Sequence, residues 1–397
     1  MSAFSTFVEL LGIPAALEKC MQIGTQDSNS TEFQSREQEM FRDFPSMSFQ
    51  GRIGDIGRML LIVAAALGTP VWGDEAAAQS STFTATDSLS IAADTSEDAR
   101  ECLQSFQWEA REFAVTLEVA EEGRGEALVR FPSPLPVGDE SNDLVAMEWY
   151  PAQNLPENEK TAPAVVVVHE SGKGMTVGRL MARGFSARGV QAFMIQLPYY
   201  GVRRQRREDV GAEQIFAVMK QAVGDVRRAR DAVAVLPGVD GSRVSVQGTS
   251  LGGFVASVAA ALDEGFDQTF LLLSGGDLFG IVANGAKDAA KVREKLLESG
   301  LTMDQLQELA RQIEPNRVAH RLPPDRTWLY SGNQDMVVPI ENALSLARSA
   351  KLDFTHHIRM PANHYSGIVF LPMILDHIAA KCRGEMGAVN PFQFPDE

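Results

Sequence analysis

The sequence predicts an α/β fold, a mostly parallel central sheet with helices on both faces. Three observations carry this. From about residue 110, short strand-like runs alternate with amphipathic helical patterns, the order that builds parallel sheets through helical crossovers. Residues 164–169, AVVVVH, form a continuous β-branched run, which suits a strand buried on both faces. Finally, Ile215, Met219, Ala222, Val226, Ala229 and Val233 recur at helical spacing until Pro237-Gly238 stops the pattern.

The elements follow in order. Residues 113–119, 127–131 and 144–150 alternate apolar and polar positions and predict antiparallel strands at a sheet edge. Buried strands follow at 164–169 and 190–197, then the long helix, a short strand at 244–247 and a helix beginning with LGGFVASVAAAL. Further strands are expected at 269–273, 327–330 and 356–360. Helices are expected near 286–298, 303–313, 340–350 and 368–381. The helices at 286–298 and 303–313 are placed either as a small lid or as packing helices.

Ahead of this body the chain changes character. Residues 59–72, MLLIVAAALGTPVW, are the one long apolar run, too short for a spanning helix of about 20 residues. Arg52 and Arg58 precede it and small residues follow, the pattern of a secretory signal cleaved near Gly73 or Ala78; the alternative is a buried helix of the folded domain. The expected division is therefore an over-extended start at 1–46, a signal-like segment at 47–78 and a linker at 79–109. A folded domain at 110–385 and a tail at 386–397 complete it. The linker expectation rests on Ser, Thr, Ala and Asp enrichment between about Ala76 and Glu97. Export to the cell exterior or periplasm is expected, without stable membrane insertion. Cys102 and Cys382 stand near the two ends of the domain, either as a disulfide or as two buried thiols.

The chain is 397 residues long with 36 Lys and Arg against 52 Asp and Glu, a net charge of −16. That balance repels phosphate backbones and argues against a nucleic-acid partner. No CxxC or Cys/His cluster predicts a metal site, and no cofactor is expected.

Chemistry concentrates at Gly248-Thr249-Ser250-Leu251-Gly252, a G-x-S-x-G between a predicted strand and a predicted helix. Such a turn projects the serine hydroxyl from the carboxyl ends of the strands. It also sets the Leu251 N–H at the positive end of the following helix, beside a reacting carbonyl. A serine needs a base, and the base needs an orienting acid, in the chain order Ser, acid, His. His364, in PANHYSG between the last strand and the last helix, is the expected base, ahead of His320, His356, His357 and His377. Asp335, in SGNQDMVVP after a strand end, is the expected acid, with Asp277 as its rival. The second oxyanion donor is expected on the loop after AVVVVH, from Ser171 N–H or, one residue displaced, Glu170; His169 reads as a structural residue. Tyr199 and Tyr200 follow a strand end and are expected to line the pocket. The nearby Arg203, Arg204, Arg206 and Arg207 either receive an anionic substrate or form a solvated helix entrance.

On GTSLGG, GNQDMVVP, the NHY loop and the IEPNRVAHRLP segment, residues from about 110 to 385 resemble the α/β-hydrolase superfamily. VVVVHESG is similar to the H-E-x-x-G of its dienelactone hydrolase and acetyl xylan esterase branch. The resemblance implies that Glu170 contacts the nucleophile. Ser250 stands where many members of that branch have Cys, which shifts the expectation toward ester hydrolysis. The expected function is that of an exported serine carboxylesterase acting on a small or carbohydrate-linked ester through an acyl-enzyme. The alternatives are a peptidase or thioesterase with the same three residues, or a ligand-binding protein that keeps the fold without turnover.

Overall fold

Strand β5 shows why the parallel sheet forms. Over Ala162–Val168, residues Ala164, Val166 and Val168 point into one core and Val165 and Val167 into another, so every position is apolar. The structure is a computed structural model that describes residues 81–155, 159–204, 212–298 and 300–385. These all lie in the unit Ala78–Glu397, so the start at 1–46, the signal-like segment, Arg206, Arg207 and the tail lie outside the described residues.

In chain order the elements are β1 (Ser81–Thr86), α1 (Glu97–Gln104), β2 (Glu112–Val119), β3 (Ala127–Pro132), α2 (Glu140–Asp143), β4 (Leu144–Tyr150), β5, α3 (Thr176–Ser186), β6 (Gln191–Gln196) and α4 (Ala212–Ala234). There follow β7 (Val239–Thr249), α5 (Leu251–Leu262), β8 (Thr269–Leu272), α6 (Leu278–Asn284), α7 (Asp288–Glu298), α8 (Met303–Gln312), β9 (Thr327–Gly332), α9 (Ile340–Ser349), β10 (His357–Met360) and α10 (Leu371–Cys382). The sheet order is β1-β2-β3-β4-β6-β5-β7-β8-β9-β10. Pairing is antiparallel from β1 through β4 to β6, and parallel from β6 through β5, β7, β8 and β9 to β10. On one face α4, α5 and α9 bury Val226, Ala229, Val255, Val258 and Leu346. On the other, α3 and α10 bury Met181, Phe185, Ile374 and Ile378.

The structure departs from expectation in places with identifiable reasons. The segment 79–109 is not a free linker over its described part. Ser81–Thr86 pairs with β2, and the polar residues beyond it are anchored. Asp87 forms a fully buried pair with Arg228 at 2.5 Å, and Ser88 Oγ donates to Asp231 at 2.6 Å. Asp94 binds Arg321, and Ser96 caps α1. Its composition resembles solvated chain because its polar groups find partners only in the folded body. Helix α3 escapes a periodicity reading because Gly178 and Gly184 interrupt it, yet both serve close packing. A Cβ at Gly178 meets His169 Cβ at 2.6 Å, and one at Gly184 meets Leu375 Cδ1 at 2.5 Å.

Cys102 and Cys382 are free, buried thiols, so the disulfide alternative falls away; burial pushes them to about 11 and about 12. The excursion between β8 and β9 packs: α8 buries Leu306 and Ala310, and Arg311 and Arg317 bind Asp98 and Glu101 of α1. Among the described residues no helix is long and apolar enough to cross a membrane.

Candidate active site

The turn after β7 is built by close approach. Strand β7 runs beside β5 with Gly248 opposite Val168, so two residues on, Ser250 stands beside the loop that leaves β5. A Cβ at Gly248 meets Gly252 O at 2.2 Å, and one at Gly252 meets Val168 O at 2.2 Å. Only glycine lets strand and helix meet this tightly. Ser250 pays for the turn with φ 53° and ψ −115°, a backbone that costs a non-glycine residue about 1–3 kcal/mol. Its N–H donates to Leu272 O at 2.8 Å, while its carbonyl accepts from Gly253 and Phe254. Leu251 is the first residue of α5, where amides point out of the helix without an intrahelical acceptor.

Ser250 Oγ lies 3.1 Å from His364 Nε2, and His364 Nδ1 lies 2.7 Å from Asp335 Oδ2. The Asp335 side chain is 1% exposed, and its Oδ1 accepts from the amides of Val337 and Val338 at 2.8 and 2.9 Å. That turn leaves Oδ2 for the imidazole and fixes the ring's orientation. His364 rides on the loop after β10, just before the 3₁₀ turn Ser366–Phe370.

The rival residues have other partners. Asp277 caps α6, accepting from Gly280 N–H at 3.0 Å. His320 binds Asp94, His356 binds Asp353, His357 meets Ser331 Oγ at 2.8 Å and His377 meets Tyr330 Oη at 2.6 Å.

The loop after β5 is tied down in an order the sequence does not display. Glu170 does not present its carboxylate to the serine turn as a free group. Its oxygens accept from Val177 and Gly178 N–H at 3.2 and 3.1 Å and so cap α3, whose own cap residue Met175 supplies no side-chain acceptor. Ser171 is exposed, and its carbonyl accepts from Tyr200 Oη–H at 3.0 Å. Tyr200 therefore spans from the loop after β6 to the loop after β5, and burial and the Glu170 charge raise its pKa. Tyr199 adopts φ 63°, with its N–H donating to Asn142 Oδ1 at 3.0 Å. Arg203 is no substrate receptor. It is fully buried, paired with Asp225 at 2.7 Å and donating to the carbonyls of Asn142 and Gln196.

Beside His364 lies a cavity of about 260 Å³ lined by Lys287, Gln334, Met336, Val337, Asn363 and Tyr365 together with the histidine. Gln334 and Met336 flank the acid, and Asn363 and Tyr365 flank the base, so the motifs carried these four. Lys287 had no sequence signal: it arrives from the excursion after β8, its ammonium 5.3 Å from the Tyr365 ring centre. Asn363 Oδ1 accepts from Tyr365 and Ser366 N–H, which fixes its amide at the start of the 3₁₀ turn. Among the described residues no group of three or more His, Cys, Asp or Glu is placed to hold a metal ion.

Comparison with known proteins agrees with this architecture. Residues 152–272 match the model of the dienelactone hydrolase family. The chain is similar to the acetyl xylan esterase from Paenibacillus sp. R4, with 16% identity and a TM-score of 0.52 over 74% of this chain and 96% of that one. Acetyl xylan esterase 1 from Thermoanaerobacterium sp. JW/SL YS485 gives 15% identity and a TM-score of 0.49 over 72% and 92%. A puromycin-hydrolyzing peptidase from Mycobacterium tuberculosis gives 18% and 0.47 over 68% and 46%. No curated protein matches the chain. The chain thus has the α/β-hydrolase fold, resembling the dienelactone hydrolase and acetyl xylan esterase branch. Fold alone assigns no substrate.

Proposed function

We propose that this chain is an exported serine hydrolase, a carboxylesterase for small or carbohydrate-linked esters. The reading rests on one observation, the unbroken chain from Ser250 Oγ through His364 to the buried Asp335. In it, Ser250 Oγ attacks the ester carbonyl while His364 Nε2 takes its proton, and Asp335 holds the ring and stabilises the imidazolium. The Leu251 and Ser171 N–H groups receive the oxyanion. The C–O bond then breaks, His364 protonates the departing alcohol, and water cleaves the acyl-enzyme by the same steps in reverse. The dienelactone hydrolase match supports a hydrolase. Amide, ammonium and aromatic groups on the histidine side suit a hydroxylated alcohol as the leaving group.

The test is intact-mass labelling with a fluorophosphonate, beside p-nitrophenyl ester, thioester and peptide substrates. We expect one adduct on the wild type that is lost in Ser250→Ala and His364→Ala, with kcat on the ester down on the order of 10⁴–10⁶-fold. An adduct surviving in Ser250→Ala moves the nucleophile elsewhere, and none on folded wild type removes the serine mechanism.

A further inference from the structure

We infer that His169 and Tyr200 are positioning residues that aim the Ser171 N–H as the second oxyanion donor by pinning the peptide planes on either side of it. The inference rests on the function proposed above. Residues 171–174 are exposed, so no core packing holds this loop in place. The Glu170 carboxylate ties its ends to α3, and two further side-chain bonds hold the peptides on either side of Ser171.

His169 is wholly buried at the end of β5, and its Nε2 lies 3.1 Å from the Leu197 N. A backbone N–H can only donate, so Nε2 accepts and the ring proton sits on Nδ1. That Nδ1–H donates to Glu170 O at 2.5 Å. Glu170 C=O and Ser171 N–H are opposite ends of one planar trans peptide, so holding the oxygen sets the direction of the N–H. On the far side of Ser171, Tyr200 Oη–H donates to the Ser171 carbonyl at 3.0 Å and holds the next plane. With both planes fixed, Ser171 has neither dihedral left to turn. The two rings brace each other edge to face, with centres 4.5 Å apart. Burial lowers the His169 pKa to about 4, with the Arg179 and Arg203 charges adding to the effect, so the neutral ring keeps its acceptor for Leu197.

The test compares His169→Asn, His169→Gln and Tyr200→Phe in the full chain, by p-nitrophenyl ester kinetics, thermal melting and fluorophosphonate labelling. Asn places an N–H near the position of Nδ1 and keeps the Glu170 anchor. Gln reaches toward Leu197 and releases it. We expect His169→Asn to stay within about fivefold of wild-type kcat. His169→Gln should lose about 10–100-fold in kcat with KM within about twofold, less than deletion of a whole donor. Tyr200→Phe should lose about three- to tenfold in kcat, again at constant KM. Equal kcat in Asn and Gln, a loss confined to KM, or wild-type kcat in Tyr200→Phe overturns the inference. Labelling keeps the parent reading separate. A variant whose Ser250 no longer labels has lost its nucleophile rather than its donor, which also overturns the positioning role. A wild type that neither labels nor turns over ester overturns the proposed function and this inference with it.

Discussion

Burial lowers the pKa of His169, His357 and His377 to about 4, and each neutral ring sits in a short hydrogen bond inside the sheet or its flanking helix. In the unfolded chain these rings titrate near 6.5. Between about pH 6.5 and 4 the unfolded state therefore binds protons that the native state refuses. The stabilisation is complete above pH 6.5 and declines as the pH falls through that window. From pH 7.5 to 5.5 the loss is about 1 kcal/mol per histidine, so the melting temperature should drop by several degrees, read by scanning calorimetry. A melting temperature that is flat or rising over that interval contradicts the neutral assignment. His364 differs in that its two ring nitrogens face a hydroxyl and a carboxylate, the arrangement that proton transfer requires.

At the scale of elements, the segment from β1 to α1 is fastened by charge. The Arg228–Asp87 pair is fully buried, and Arg227 joins Asp231, Asp263 and Ser88. Removing one partner of a buried pair strands the other, at about 3–5 kcal/mol. Asp87→Ala should lower the denaturation free energy by that amount in urea titrations, whereas a loss below about 1 kcal/mol would return this segment to the role of a linker. The strands and most helices were legible because their periodicity is local. The segment 81–104 was not, because the partners of Asp87 and Ser88 lie 141 and 143 residues away. Helix α3 was hidden for a related reason: its glycines answer to His169 and Leu375, which the local sequence does not show.

For the whole molecule, the apolar run at 59–72 bears on where the protein works. Export predicts a mature N-terminus at Asp74 or Gln79 when protein secreted by the native host is sequenced; a mature chain that still begins at Met1 sinks both export and the reading of 1–46. The sequence by itself determined the α/β class, the order of most elements and the three residues that the hydrogen-bond chain joins. Each stands in a local strand–turn–helix or strand–loop signature whose geometry follows from short-range sterics. Only the tertiary structure decided what the remaining polar residues do. Glu170 became a helix cap, Arg203 a buried ion-pair partner, His169 a link between the Leu197 amide and the Glu170 carbonyl, and Lys287 a cavity wall. A polar side chain's role is set by whichever donor, acceptor or charge the fold brings within about 3 Å, and hydrogen bonds to distant segments leave no period in the chain.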